Sequence, residues 1–287
     1  MVDQIERVGI LGCGLMGSGI AEVCARAGSE TVVVEYDDAS VAHGRALISA
    51  SLQRGLTAGK LTASERDATL DRITFTTEID AFHDRQLVIE AVPEIVELKL
   101  DSFRRIDASV LAEDAILASN TSSLPIGRLA AATSCPERVL GMHFFNPVPV
   151  LKLVEIVSSL RTSDSTRERA EAYIGGVVGK KVIHAQDRAG FVVNALLVPY
   201  MLSAIRMLEG GFASAEDIDT GMVEGCAHPM GPLRLTDLVG LDTTLHAANV
   251  LYEEFRQPHC APPALLSRMV ESGLLGRKSG RGFFTYA

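Results

Sequence analysis

The stretch Gly141 to Glu155, GMHFFNPVPVLKLVE, places a histidine and a glutamate on either side of a turn that two prolines force. Val139 to Phe144 reads as a short apolar strand. Asn146-Pro147-Val148-Pro149 cannot continue it, because proline lacks the N–H that a ladder needs and restricts the residue before it. Val150 to Val157 predicts a second strand. Side chains alternate along a strand, so Glu155 shares a face with Leu151, Leu153 and Val157. A carboxylate on an apolar face needs a partner, and His143 across the turn is a candidate. A carboxylate that holds an imidazole in one tautomer makes a general base that works near neutral pH. The same residue types also serve as a buried structural pair, or make no contact at all. The elements around them decide.

Arg7 to Gly12 is a compact apolar run, followed by Gly12-Cys13-Gly14-Leu15-Met16-Gly17. Ser18 to Ala27 has helical character and stops at Gly28. Thr31 to Val34 is a β-branched run that ends in Glu35. The order is strand, glycine turn, helix, strand, acid. GxGxxG alone is a weak signal, but here it sits in the context that a dinucleotide site requires. The glycines give a tight turn, room for a pyrophosphate and close helix–strand packing. The helix N-terminus then offers N–H groups to phosphate. The alternative is a tight glycine turn in an unrelated α/β protein.

Further strands are expected at Ile73 to Thr77, Leu87 to Val92, Ala115 to Ser119 and Lys180 to Gln186. Helical segments are expected at Val41 to Lys60, Leu61 to Leu70 and Ile95 to Leu111. Strands alternating with helices argue for a parallel, doubly wound sheet, whose ligands lie beyond the carboxyl ends of the strands. Gly12 to Gly17, Glu35, Ala91 to Glu94, Ser119 to Ser122 and His143 all fall at or just past such ends. This convergence favours a catalytic reading of His143. Ser122 or Ser123, ahead of Pro125, reads on sequence alone as a helix cap.

After Asp187 the strand signals stop. Phe191 to Glu209 predicts a long apolar helix, ended by Gly210-Gly211. Ser214 to Asp217 resembles a capping box for a helix to about Glu224. Helices around Leu233 to Gly240, Thr243 to Phe255 and Ala264 to Ser272 complete a helical half. The expected domains are residues 1–186, dinucleotide-binding, and residues 187–287, helical. A helix as apolar as Phe191 to Glu209 tends to be hidden on all sides, so this half is expected to form a homodimer core. A bundle packed only on its own chain is the alternative.

With 287 residues, the length suits two domains, and 47% hydrophobic residues suffice for real cores. The net charge of −9 argues against a general nucleic-acid or anionic-membrane surface, so an anionic ligand needs a local basic site. The five cysteines show no CxxC spacing, which suggests neither a disulfide framework nor a metal site and fits a cytoplasmic location. No signal peptide is read at the start. Asn194, Pro199 and Arg206 interrupt the longest apolar run, so it reads as a buried helix and not a membrane span.

GILGCGLMGSGIAEVCARAG, LVIEAVPE, ILASNTSSL, GMHFFNPVPVLKLVEIV, DRAGFVVNALLVPY, AHPMGPLRLTDLVGLD and LLGRKSGRGFF together resemble the L-3-hydroxyacyl-CoA dehydrogenase family, and most closely its bacterial 3-hydroxybutyryl-CoA members. The resemblance spans essentially the whole chain. It implies a Rossmann-type domain followed by an all-helical dimerisation domain. It also implies NAD as cofactor, with Gly12, Gly14, Leu15, Met16 and Gly17 at the pyrophosphate and Glu35 on the adenosine ribose. Glu94, Lys99, Ser122 and Asn146 would lie along the nicotinamide half.

The resemblance further makes His143 the base for the 3-hydroxyl and Glu155 its orienting acid. Ser122 would bond the substrate oxygen, and Asn194 would position the thioester; on its own, Asn194 also reads as a buried polar residue. The chain departs from the family at Ala189, where a proline is usual, at Ala195, where an arginine is usual, and at Glu35, where aspartate is commoner. The helix that handles CoA is often lysine-rich; here only Arg54 and Lys60 remain near its end, which makes Lys60 the candidate CoA contact. The expected activity is NAD-dependent interconversion of short-chain (S)-3-hydroxyacyl-CoA and 3-oxoacyl-CoA, with no metal. A dehydrogenase of a free hydroxy acid or sugar acid, or a non-catalytic nucleotide sensor, are the alternatives.

Overall fold

The computed structural model describes residues 5–286, which divide into one unit up to Arg188 and a second from Ala189 onward. The first unit runs β1 (Arg7–Leu11), α1 (Leu15–Arg26), β2 (Glu30–Val34), α2 (Asp38–Thr57), α3 (Ala63–Asp71) and β3 (Ile73–Thr76). It continues with β4 (Leu87–Glu90), α4 (Val96–Ser109), β5 (Ile116–Ser119), α5 (Ile126–Ala130), β6 (Val139–Phe144), β7 (Leu153–Ser158), α6 (Asp164–Glu171) and β8 (Lys181–Gln186). The eight strands lie in the order β3-β2-β1-β4-β5-β6-β7-β8. Strands from β3 to β6 are parallel, β7 runs antiparallel to β6, and β8 is parallel to β7.

The reason for this switch is in the connections. Parallel neighbours need a crossover, and helices supply it between most strands. Between β6 and β7 there is only the proline turn, so the chain doubles back. Val150 and Leu151 do not begin β7 as expected. Their N–H groups both donate to Pro147 O, at 3.0 and 2.9 Å, so these residues close the turn and the ladder starts at Leu153. A crossover is needed again between β7 and β8. It is made by α6, which Ser163 caps, and a π-turn at Ala172–Val177; the sequence reading had no element there.

The central strands are buried on both faces, as their unbroken Val, Ile and Leu content requires. One core cluster joins Ile20 and Cys24 of α1 to Met142, Phe144, Val154 and Ile156. His143 and Glu155 alternate with these residues and point to the opposite face of the sheet.

The second unit is helical: α7 (Val193–Glu209), α8 (Ala215–Cys226), α9 (Pro232–Val239), α10 (Leu241–Phe255) and α11 (Ala264–Glu271). Helix α7 starts two residues later than expected, because Phe191 adopts a left-handed φ of 48°. Its inner face, with Val198, Met201, Leu202 and Ile205, carries the core of this unit. Within the single chain the helix is not hidden on all sides. Leu196 is 73% and Met207 47% exposed, and exposed Ser203 lies between them on the same stripe. Asp187, placed with the helical half in the sequence reading, is tied to the first unit: its carboxylate accepts from the N–H groups of Ile126 and Gly127, each at 2.7 Å.

No helix among the described residues is long and apolar enough to cross a membrane.

Candidate active site

The β6–β7 register sets His143 directly opposite Glu155. The two side chains meet at 2.6 Å, Nδ1 to Oε2, with the imidazole 7% and the carboxylate 0% exposed. An ordinary strand pairing therefore fixes the pair, because cross-strand neighbours are brought within reach by the ladder itself. The carboxylate orients the ring and leaves Nε2 as the atom that can exchange a proton with a ligand. Phe145 lies against the imidazole, with centroids 4.6 Å apart.

Four residues past the end of β4, two strands from β6, Glu94 is a second organising carboxylate. Its Oε1 accepts from the N–H groups of Ser122 and Ser123, both at 3.2 Å, from Ser123 Oγ at 2.8 Å, and from the Thr121 hydroxyl in a short contact. Ser122 and Ser123 therefore do not cap the following helix as the sequence suggested. Helix α5 starts at Ile126 with no side-chain cap of its own, and Asp187 binds its first N–H groups instead. The turn Thr121–Ser123 wraps Glu94 and leaves Ser122 half-buried at the strand ends. Burial pushes the Glu94 carboxyl up, but the Lys99 ammonium and the hydroxyls of Thr121 and Ser123 outweigh it and hold the group below its ordinary value.

Lys99 is 1% exposed. Its Nζ donates to Glu90 at 2.6 Å and to Val92 O at 3.2 Å, and pairs with Glu94 at 3.2 Å. The sequence reading missed Glu90. It ends β4 fully buried and also accepts from Ser119 Oγ at 2.6 Å and Val92 N at 2.7 Å. The signal was available: a carboxylate closing an apolar strand needs a cation, and the helix that follows carries one. Asn120 was also missed. Its Oδ1 accepts from Phe144 N at 2.9 Å and ties the end of β5 to β6 beside His143.

The glycine turn fits a dinucleotide. Gly12 has a φ of +89°. A Cβ on Gly17 would come within 1.9 Å of Gly12 O, so neither position admits a side chain. Gly14 opens α1 with no side-chain cap and no acid in the first turn, which leaves the N–H groups beside Leu15 and Met16 for a phosphate. Leu15 is exposed there and Met16 half-buried. Glu35 folds back from the end of β2, accepting from Cys13 N in a short contact and from Tyr36 N at 3.2 Å. Cys13 itself is inert: burial first, and then the Glu35 charge, push its thiol up to about 12.

The other expected residues are more scattered. Asn146 is exposed in the proline turn, and Lys60 is exposed just past α2. Asn194 is half-buried near the start of α7 in the second unit.

A family model for the 3-hydroxyacyl-CoA dehydrogenase NAD-binding domain matches residues 7–188, and one for the C-terminal domain of the same enzymes matches residues 190–286. The chain belongs to the 3-hydroxyacyl-CoA dehydrogenase family. A 3-hydroxybutyryl-CoA dehydrogenase of Mycobacterium tuberculosis H37Rv is 58% identical over 286 residues, covering 100% of each chain. The crystal structure of M. tuberculosis FadB2 superposes with a TM-score of 0.98 at 58% identity, over 99% of this chain and 100% of that one. That of the (S)-3-hydroxybutyryl-CoA dehydrogenase PaaH1 from Ralstonia eutropha gives 0.95 at 46% identity, over 99% and 100%. As a 3-hydroxyacyl-CoA dehydrogenase, the chain is an oxidoreductase that uses NAD, and its glycine turn lies in the family's NAD-binding domain.

Proposed function

We propose that the chain interconverts (S)-3-hydroxybutyryl-CoA and acetoacetyl-CoA, with His143 as the general base and Glu155 as its positioning residue. The hydrogen-bonded, buried His143–Glu155 pair carries this reading. Bound NAD supplies the hydride acceptor and nothing else. During oxidation, His143 Nε2 takes the proton of the 3-hydroxyl, and the Glu155 carboxylate stabilises the imidazolium that results. In the reverse direction the same atom returns the proton. Ser122, at the strand ends, would bond the C3 oxygen, and Asn194 would position the thioester. Glu94, Lys99 and Asn146 would lie along the nicotinamide half of the cofactor.

Glu35 sets the choice of cofactor. A carboxylate accepts from ribose hydroxyls and repels a 2′-phosphate, and the Tyr36-Asp37-Asp38 that follows offers no arginine to offset this. The short-chain assignment follows the names of two relatives similar to this chain. The exposed stripe of Leu196, Ser203 and Met207 on α7 supports a homodimer through the helical half, and five free thiols suit a cytoplasmic setting.

One spectrophotometric assay tests the whole reading: acetoacetyl-CoA against free acetoacetate, each with NADH and NADPH. Rapid turnover is expected only for the thioester with NADH. Equal turnover of free acetoacetate would move the assignment to a free-acid dehydrogenase. No turnover with NADH bound would leave a nucleotide sensor.

A further inference from the structure

Glu90 ends β4 with a side chain that is 0% exposed, yet proton transfer at His143 makes no use of it. Burying a carboxylate costs free energy unless it is paired, so its partners indicate what it does. All of them are donors. Oε1 accepts from Lys99 Nζ and Val92 N, and Oε2 from Ser119 Oγ. Ser119 Oγ itself accepts from Thr121 N at 3.1 Å, which leaves its own proton for Glu90. Donors on both oxygens mean a charged carboxylate. Lys99 Nζ faces Glu90, Glu94 and the Val92 carbonyl, three acceptors for the three protons of an ammonium. Glu94 is charged as well: burial raises its carboxyl, but Lys99, Thr121 and Ser123 outweigh this. Two carboxylates against one ammonium leave the cluster with one net negative charge. A pair formed only to satisfy the buried Lys99 would need one acid. Here there are two.

The sheet order places this charge. The glycine turn follows β1 and Glu35 follows β2, while β4 and β5 lie on the other side of β1, between it and His143 on β6. A dinucleotide binds where the strand order reverses. With its pyrophosphate at β1 and its adenosine at Glu35, its nicotinamide half points toward β4 and β5. That half carries the ring that is positive when oxidised and neutral when reduced.

We propose that Glu90 is a positioning residue that sets the preference between NAD⁺ and NADH. It takes up the charge of Lys99, so that Glu94 keeps an uncompensated negative charge toward the nicotinamide half, which favours the oxidised form. The inference rests on the placement of Glu94 and Lys99 along that half. Glu90 also fixes the geometry through two arms. One runs through Lys99 to Glu94 Oε2. The other runs through Ser119 to Thr121, whose hydroxyl donates to Glu94 Oε1, the atom that also accepts from Ser122 N. One buried carboxylate thus holds both the charge and the turn that carries Ser122.

The test is calorimetric titration with NAD⁺ and with NADH, no substrate present, of the parent, Glu90→Gln, Glu94→Gln and the double variant Glu90→Gln/Lys99→Met. Glu90→Gln keeps the shape of the side chain and takes the cluster from one net negative charge to none. Its Kd for NAD⁺ should rise about tenfold more than its Kd for NADH, the effect of one unit charge acting over about 10 Å at an effective dielectric constant of about 20. The double variant removes one charge of each sign. Its ratio of the two Kd values should return to that of the parent, even where both values rise. Equal rises for NAD⁺ and NADH in Glu90→Gln would make Glu90 a structural partner of Lys99 and overturn the proposal, while the placement of the nicotinamide half stands. No change for either cofactor in any variant would remove that placement, and the proposal with it. If Glu90→Gln does not fold because Lys99 loses its buried partner, Glu94→Gln makes the same charge step at a side chain 27% exposed, and an unchanged ratio there overturns the proposal. Turnover of acetoacetyl-CoA tests the substrate reading separately from all of these outcomes.

Discussion

Replacing Glu155 by glutamine keeps the shape of the side chain and an acceptor atom but removes the charge beside His143. If the pair works as one unit, kcat falls in Glu155→Gln, and falls about 10²–10⁴-fold in His143→Gln. The double variant should be little worse than His143→Gln alone, because residues that act together are not additive. NADH binding should barely change in any of the three, and fluorescence titration measures it directly. A purely structural pair would instead lower stability and NADH binding together. Glu94 gives a residue-scale expectation for pH. Its folded pKa lies below its unfolded value because Lys99, Thr121 and Ser123 outweigh burial. It therefore contributes stability that is fully present above the unfolded value of about 4.3 and is lost as pH falls through the folded value. Urea unfolding between about pH 5 and about pH 3 should show a smaller loss of stability for Glu94→Gln than for the parent.

At the scale of elements, the turn between β1 and α1 has the least tolerance. Gly17→Ala would place a methyl group 1.9 Å from Gly12 O, so the turn must open. The expected result is an NADH Kd raised at least about 100-fold, roughly 2.7 kcal/mol, with the sheet still folded by circular dichroism. This turn was legible because glycine, strand and acid fall at fixed spacings. Strand β6 was legible to the residue, being an apolar run closed by a proline turn. The start of β7 was not: Val150 and Leu151 are apolar and fit the strand pattern, and only their bonds to Pro147 O show that they close the turn. Helix α6 was missed because its apolar content is low. The role of Ser122 was misread for a different reason. A serine before a helix looks like a cap, and the acceptor that captures its N–H, Glu94, lies 28 residues earlier in the chain. Local patterns cannot reveal a partner at that distance.

For the whole molecule, the order of the two halves was plain from where strand signals stop, but the surface of α7 was not. Helical periodicity shows that the helix is apolar all round. It does not show which residues the same chain covers. The exposed Leu196 and Met207 identify the face that remains. Light scattering at micromolar protein should give twice the chain mass, and Leu196→Glu together with Met207→Glu should shift it toward the mass of one chain. A parent that already scatters as a single chain would rule out the homodimer.

The placement of the β6–β7 turn has an evolutionary consequence. The pair His143–Glu155 is held by the ladder on either side of this turn, while residues 149–152, at its end, line a cleft with the end of α1 and with α3. Shifting either strand by one residue would reverse every side chain and separate the pair. Changing the turn itself would leave the ladder in place, and extra loop length adds only about 0.6 kcal/mol per doubling. Selection can therefore redraw this short segment, by substitution or insertion, while the His143–Glu155 pair stays in register. The same division offers a design route, since libraries confined to residues 149–152 would vary the turn and the cleft it borders without moving the paired side chains.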